Sequence, residues 1–189
     1  MNLREEFDNV AALGLLGRIG QGDEKVFVRL FQMINRRVYL FALHRLGNPH
    51  DAEEVLNDTA LELWRHPERF RGESRFMTYV LGIANNRASD RLRALGRIDE
   101  EALGEETEVA SNIPSPPDLV NARQIRAAIG RCLGQLTPRQ RVVVHLTYYE
   151  GLSRAEIGRI IGCEGNAVRQ HLFQALRRLR SRVPRTYLE

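Results

Sequence analysis

The stretch Ser153-Arg154-Ala155-Glu156-Ile157-Gly158-Arg159-Ile160-Ile161-Gly162-Cys163-Glu164-Gly165-Asn166-Ala167-Val168-Arg169-Gln170 decides the fold class. Ser153 with Glu156 three residues later is a capping box, so a short helix starts there. Gly162 suits its left-handed end, and Cys163 to Asn166 make a sharp turn. A longer helix follows, with apolar rungs at Val168, Leu172, Ala175, Leu176 and Leu179. Two helices of this kind around a glycine-bearing turn form a helix-turn-helix. Ile157, Ile161 and Val168 would lock the pair, and Gly158 would let the two helices approach closely. The opposite side of the second helix then shows Asn166, Arg169, Gln170, Phe173 and Gln174, chemically able to touch base edges in a major groove. Arg177, Arg178, Arg180 and Arg182 sit further along, where phosphates would be reached.

Outward from this segment, helical signals continue in both directions and no hairpin signal interrupts them. Thr137, Pro138 and Gln140 announce another capped helix that ends near Gly151. Before it, a helix from about Leu119 offers Ile125, Ala128, Ile129 and Leu133. In the first half, Asp23 caps a helix striped by Phe27, Leu30, Phe31, Ile34, Val38, Phe41 and Ala42, which ends near Gly47. A second starts after Pro49, with Asp51 as its expected cap, and stops before Pro67. After the loop Phe70-Arg71-Gly72-Glu73-Ser74-Arg75, a third runs from about Phe76 to Leu95. The expected fold is all-α: two small helical domains, residues 1–95 and 121–189, joined by a flexible linker over 96–120.

Charge divides along the same boundaries. The chain of 189 residues carries +4 overall. Residues 1–95 contribute +1, residues 96–120 contribute −6, and residues 121–189 contribute +9. The C-terminal third is thus a polyanion binder by charge. The linker, acidic and holding Pro114, Pro116 and Pro117, has the composition of a solvated tether. No run of eighteen apolar residues exists, and the first eight residues carry acids where a secretory signal would be apolar, so the expectation is a cytoplasmic protein without membrane insertion. Cys132 and Cys163 have no metal-ligand spacing and read as a buried, reduced pair. The histidines His44, His50, His66, His145 and His171 are scattered, and no nucleophile with a base or carboxylate cluster is evident. Catalysis, a metal and a cofactor are therefore not expected.

Two further constellations stand in the first domain. Glu53, Glu54, Asn57, Asp58 and Glu62 give the helix after Pro49 an acidic face that would repel DNA and suit a basic protein partner. The glycine loop with Arg75, Tyr79, Asn85, Asn86, Arg87, Arg91 and Arg93 mixes aromatic and cationic groups in a way that suits single-stranded DNA.

The order of these motifs resembles the extracytoplasmic-function RNA polymerase sigma factors. Asp51 to Ala60, Leu63-Trp64-Arg65, Phe70 to Ser74 and Ile83 to Asp90 are similar to their region two. Leu136 to Arg141, Tyr149 to Ser153 and Ile157 to Arg180 are similar to their region four. The resemblance implies a transcription initiation factor with promoter DNA and core RNA polymerase as partners, through the beta-prime clamp helices and the beta flap, and an anti-sigma factor as silencer. It would assign Asp51, Glu53, Glu54, Asn57 and Asp58 to core binding. Phe70, Arg71, Gly72, Ser74, Arg75, Tyr79, Asn86 and Arg87 would serve the minus-ten element, with Asn86 joining the loop to capture a flipped base. Asn166, Arg169, Gln170, Phe173, Gln174 and Arg177 would read the minus-thirty-five element. Asn57 stands where the family usually has glutamine, and Tyr79 where it usually has tryptophan. The rival reading is a helix-turn-helix regulator acting without core polymerase, which would leave the acidic helix and glycine loop unexplained.

Overall fold

The computed structural model describes residues 9–96, residue 130 and residues 132–180. The expected acidic linker, the helix around Ile125 and the position of Arg182 lie outside the described residues. Those that are described form helices and turns only. Four helices make the N-terminal bundle: α1 (Asn9–Gly20), α2 (Glu24–Leu46), α3 (Pro49–Arg65) and α4 (Phe76–Ala94), with a 3-10 turn at Pro67–Arg69. Three make the C-terminal bundle: α5 (Pro138–Val144), α6 (Arg154–Ile161) and α7 (Gly165–Arg180).

Where capping chemistry is local, the helix boundaries follow it. Asp23 accepts from the Val26 backbone N–H at 3.1 Å, and Gly47 closes α2 in the left-handed conformation with φ of 72°. The buried stripe of α2 is Val26, Leu30, Ile34, Val38, Phe41 and Ala42. Phe27 is only half-buried, edge-on to Trp64 at 5.0 Å between ring centres. The α3 cap differs from expectation. Asn48, not Asp51, accepts from the N–H groups of His50 and Asp51 at 2.9 and 3.3 Å, with Pro49 in the first turn. Asn48 precedes the proline, where extended backbone is favoured and a capping side chain can fold back. Asp51 is thereby released for an ion pair.

Helix α1 has no counterpart in the sequence expectations. Its twelve residues include Gly14, Gly17 and Gly20, each costing about 1 kcal/mol of helix propensity relative to alanine. Burial of Ala12, Leu16 and Ile19 against the bundle sustains it instead.

In the C-terminal bundle both capping boxes are complete, Thr137 with Gln140 and Ser153 with Glu156. After α5 the chain widens into one π turn at His145–Tyr149 rather than running as regular helix to Gly151. The two bundles are in contact, α5 and the π turn lying against α2, and α6 against α4. Their buried side chains form one continuous apolar cluster from Ala12 to Val168.

Candidate nucleic-acid and protein interfaces

The helix-turn-helix is fixed by an unusually close approach. A Cβ on Gly158 would stand 2.5 Å from the Cys163 carbonyl oxygen, a distance no side chain tolerates. The Cys163 N–H donates to the Gly158 carbonyl at 3.0 Å, and Gly162 takes φ of 69°. Val168 and Ala175 are fully buried, which turns the other side of α7 outward. Asn166, Arg169, Gln170, Phe173, Gln174 and Arg177 are all exposed, and Phe173 is 67% accessible despite its apolar ring. The structure thus brings the six candidate readers onto one open face. A refinement concerns Gln140, the buried member of the α5 capping box. Its amide donates to the Gln174 side chain at 3.3 Å and its oxygen accepts from Arg178 at 3.4 Å, so both side chains are partly tied to α5. Cys132 and Cys163 are free and only half-buried rather than buried; burial pushes the Cys163 thiol above its ordinary range, away from thiolate character.

The loop between Phe70 and Arg75 is organised in two layers. Phe70 is 4% exposed and packs edge-on against Phe76 at 5.2 Å, with Tyr79 at the same distance. Phe70 is therefore a floor beneath the loop and cannot present its ring to a strand. Arg71 and Arg75 are exposed, and Gly72 adopts φ of 75°, a conformation that favours glycine. Burial, then the charge of Glu62, raises the pKa of the Tyr79 hydroxyl. Asn86 is exposed on α4, ten residues beyond Phe76. Arg87 is half-buried and donates to Glu62 at 2.8 Å, which turns it towards α3.

The acids of α3 divide into two sets. Asp51 is buried and receives Arg91 at 2.8 Å, while the same guanidinium reaches Glu54 at 2.6 Å. Asp51's hydrogen bond, then the Glu54 charge, raises the pKa of Arg91 further. Glu62 pairs with Arg69 and Arg87. In contrast, Glu53, Asn57 and Asp58 are exposed, and among the described residues neither Glu53 nor Asp58 has an ion-pair partner. The surface available to a basic partner is this narrower set, and Asp51 is a structural anion beneath it. His50, Asp51 and Glu54 also place ligand atoms within 4.8 Å of one another, but Arg91 already engages both carboxylates.

Between the bundles lies a polar seam that sequence reasoning did not anticipate. The Glu150 carboxylate, 1% exposed, accepts from Arg37 Nε at 2.8 Å and also from its Nη2. His44 and His145 meet at 4.9 Å, and Tyr149 stacks on His145 at 5.0 Å. Burial lowers the His44 pKa to about 4 and the His145 pKa to about 3, with Arg141 adding to the first and His44 and Arg37 to the second. On the other side of the seam, Glu156 pairs with Arg75 at 3.3 Å and accepts from the Thr78 hydroxyl at 3.4 Å. Burial works to raise the Glu156 pKa, but hydrogen bonds from Ser153 and the Arg75 charge outweigh it and hold the carboxyl low. Arg75, a candidate strand-binding residue, is thus engaged by the C-terminal bundle.

Comparison with known proteins agrees with this geometry. Residues 30–98 match the family model for Sigma-70 region 2, and residues 126–179 match that for Sigma-70, region 4. The ECF RNA polymerase sigma factor SigK of Mycobacterium tuberculosis is 29% identical over 175 residues, covering 88% of this chain and 90% of that one. The ECF RNA polymerase sigma factor BldN of Streptomyces coelicolor is 28% identical over 178 residues, covering 94% of this chain and 67% of that one. Among solved structures, the sigma factor RpoE of Bartonella quintana, crystallised with the anti-sigma factor NepR, superposes with a TM-score of 0.65 at 20% identity, covering 83% of this chain and 96% of that one. CnrH in complex with the cytosolic domain of CnrY gives 0.59 at 21% identity, covering 89% and 94%. With two sigma-region models matched in order and relatives aligned along most of its length, the chain belongs to the extracytoplasmic-function family of RNA polymerase sigma factors.

Proposed function

We propose that this sigma factor divides promoter-specific initiation among three surfaces. Asn166, Arg169, Gln170, Phe173, Gln174 and Arg177 read the minus-thirty-five duplex. Arg71 and Arg75, on the loop floored by Phe70 and Tyr79, serve the minus-ten strand, with Gly72 and Ser74 shaping the turn. Glu53, Asn57 and Asp58, shouldered by Glu54, bind the beta-prime clamp helices of core polymerase, while the C-terminal bundle meets the beta flap. The observation that carries the assignment is the open α7 face, where arginine, glutamine and an exposed phenylalanine stand opposite buried Val168 and Ala175. The protein catalyses no chemistry of its own and works in the cytoplasm. No helix among the described residues is long and apolar enough to cross a membrane. An anti-sigma factor holds it inactive; the structurally similar RpoE was solved with such a partner.

The test mixes the purified chain with core RNA polymerase and genomic fragments and maps the transcript starts. Starts that appear only with the chain support the reading; operator-like binding without core association selects the regulator alternative. Arg169→Ala should weaken use of the mapped promoters by about ten- to hundredfold, the range of one lost bidentate base contact, while core affinity stays unchanged. Glu53→Arg with Asp58→Arg should abolish core association while lowering thermal stability little, since both carboxylates are exposed and only the charge of Asp58 reaches Arg91. Equal loss of both functions in either variant would contradict the separation of surfaces.

A further inference from the structure

The helix that the sequence conceals has its first residue at the loop proposed for the minus-ten strand. The Asn9 amide donates from Nδ2 to the Gly72 carbonyl at 3.2 Å and to the Ser74 carbonyl at 2.9 Å. Its Oδ1 accepts from the Phe76 N–H at 3.0 Å. Only this orientation of the amide satisfies all three contacts, because the reverse would set oxygen against two carbonyls. Arg75, the residue at the α4 N-cap position, supplies no side-chain cap, so Asn9 does so from 67 residues upstream. A single side chain therefore fixes both ends of the turn and the helix that follows it. Leu13, one helical turn further on, lies where a Cβ on Gly72 would touch its Cδ1 at 3.4 Å.

We propose that Asn9 is a positioning residue for promoter opening: it holds the Gly72–Ser74 backbone in the shape that receives the minus-ten strand, without itself touching DNA. This rests on the strand-binding reading of that loop given above. The three contacts predict separable losses. Asn9→Asp keeps an acceptor for the Phe76 N–H, and its negative charge suits a helix N-terminus. It has no donors, however, and would repel both loop carbonyls. Asn9→Ala removes cap and tether together.

The experiment uses holoenzyme assembled from the full chain and a forked template whose single-stranded arm carries the minus-ten stretch of a promoter mapped with the wild-type protein. Asn9→Asp should bind the fork about tenfold more weakly, with core affinity and thermal midpoint close to wild type. Asn9→Ala should lose fork binding similarly and also melt earlier. Wild-type fork affinity in Asn9→Asp would overturn the proposal, as would a parallel fall in fork binding, core affinity and thermal midpoint. Failure of the wild-type chain to direct any promoter-specific start would instead overturn the functional reading itself, and is seen before any variant is compared.

Discussion

The two bundles carry their functional surfaces in opposite ways. In the C-terminal bundle most supports of the reading face are near in sequence: Ser153 and Glu156 start α6, Gly158 receives the Cys163 carbonyl, and Val168 seats α7, with Gln140 the one reached from farther off. In the N-terminal bundle the supports come from afar. Asn9 organises a loop more than sixty residues away, and Arg91 neutralises Asp51 across forty. A local motif yields a face shaped mainly by its own neighbouring residues. A face built by distant partners is shaped, and partly occupied, by the rest of the molecule.

The sharpest way to break this comparison is Gly158→Ala. A methyl group 2.5 Å from a carbonyl oxygen forces α6 and the turn apart, and overpacking of this severity should cost about 3 kcal/mol in urea denaturation. Loss of promoter binding should accompany it; an unperturbed variant would show that the turn is not held by close approach. Next in size is Arg91→Ala, which strands the buried Asp51 carboxylate. Removing one partner of a buried pair is destabilising, and the urea midpoint should fall, though by less than for Gly158→Ala because a third of the Arg91 side chain is in water. An unchanged midpoint would mean that Asp51 finds solvent on its own.

The smallest effect concerns the seam. His44 and His145 are neutral when the bundles touch and titrate near 6.5 once exposed. The parted form therefore takes up protons first. Contact should be at full strength above pH 6.5 and weaken as pH falls towards 4. Arg141 faces His44, while Arg37, Glu150 and Tyr149 face His145, and none of these removes the burial that sets the sign. Fluorophores on the two bundles should report the separation, and His44→Gln with His145→Gln should flatten the pH dependence.

Legibility in the sequence follows the same divide. The caps at Asp23, Thr137 and Ser153, the glycines at 47 and 162, and the outward α7 residues were all readable, because each depends on neighbours within a few positions. The first helix was not, since its glycines speak against it and only tertiary burial speaks for it. Asp51 was misread as a cap because a carboxylate near a proline signals one, while its true partner lies on another helix. Phe70 was placed among strand-binding residues, yet it faces Phe76, and an aromatic in a loop does not announce which side it occupies. Nothing in composition marked Arg37 for Glu150, 113 residues away.

Glu156 serves two masters, and this makes the halves asymmetric in how readily they come apart. When Arg75 departs, the carboxylate keeps the Ser153 N–H at 2.9 Å and hydroxyl at 2.7 Å, so that flank of the molecule parts without stranding an anion. Glu150 has no such second home, its carboxylate being sealed between Arg37 and His145. Separation should accordingly begin at the Arg75 edge and end at the Arg37 edge, like a door swinging on one hinge.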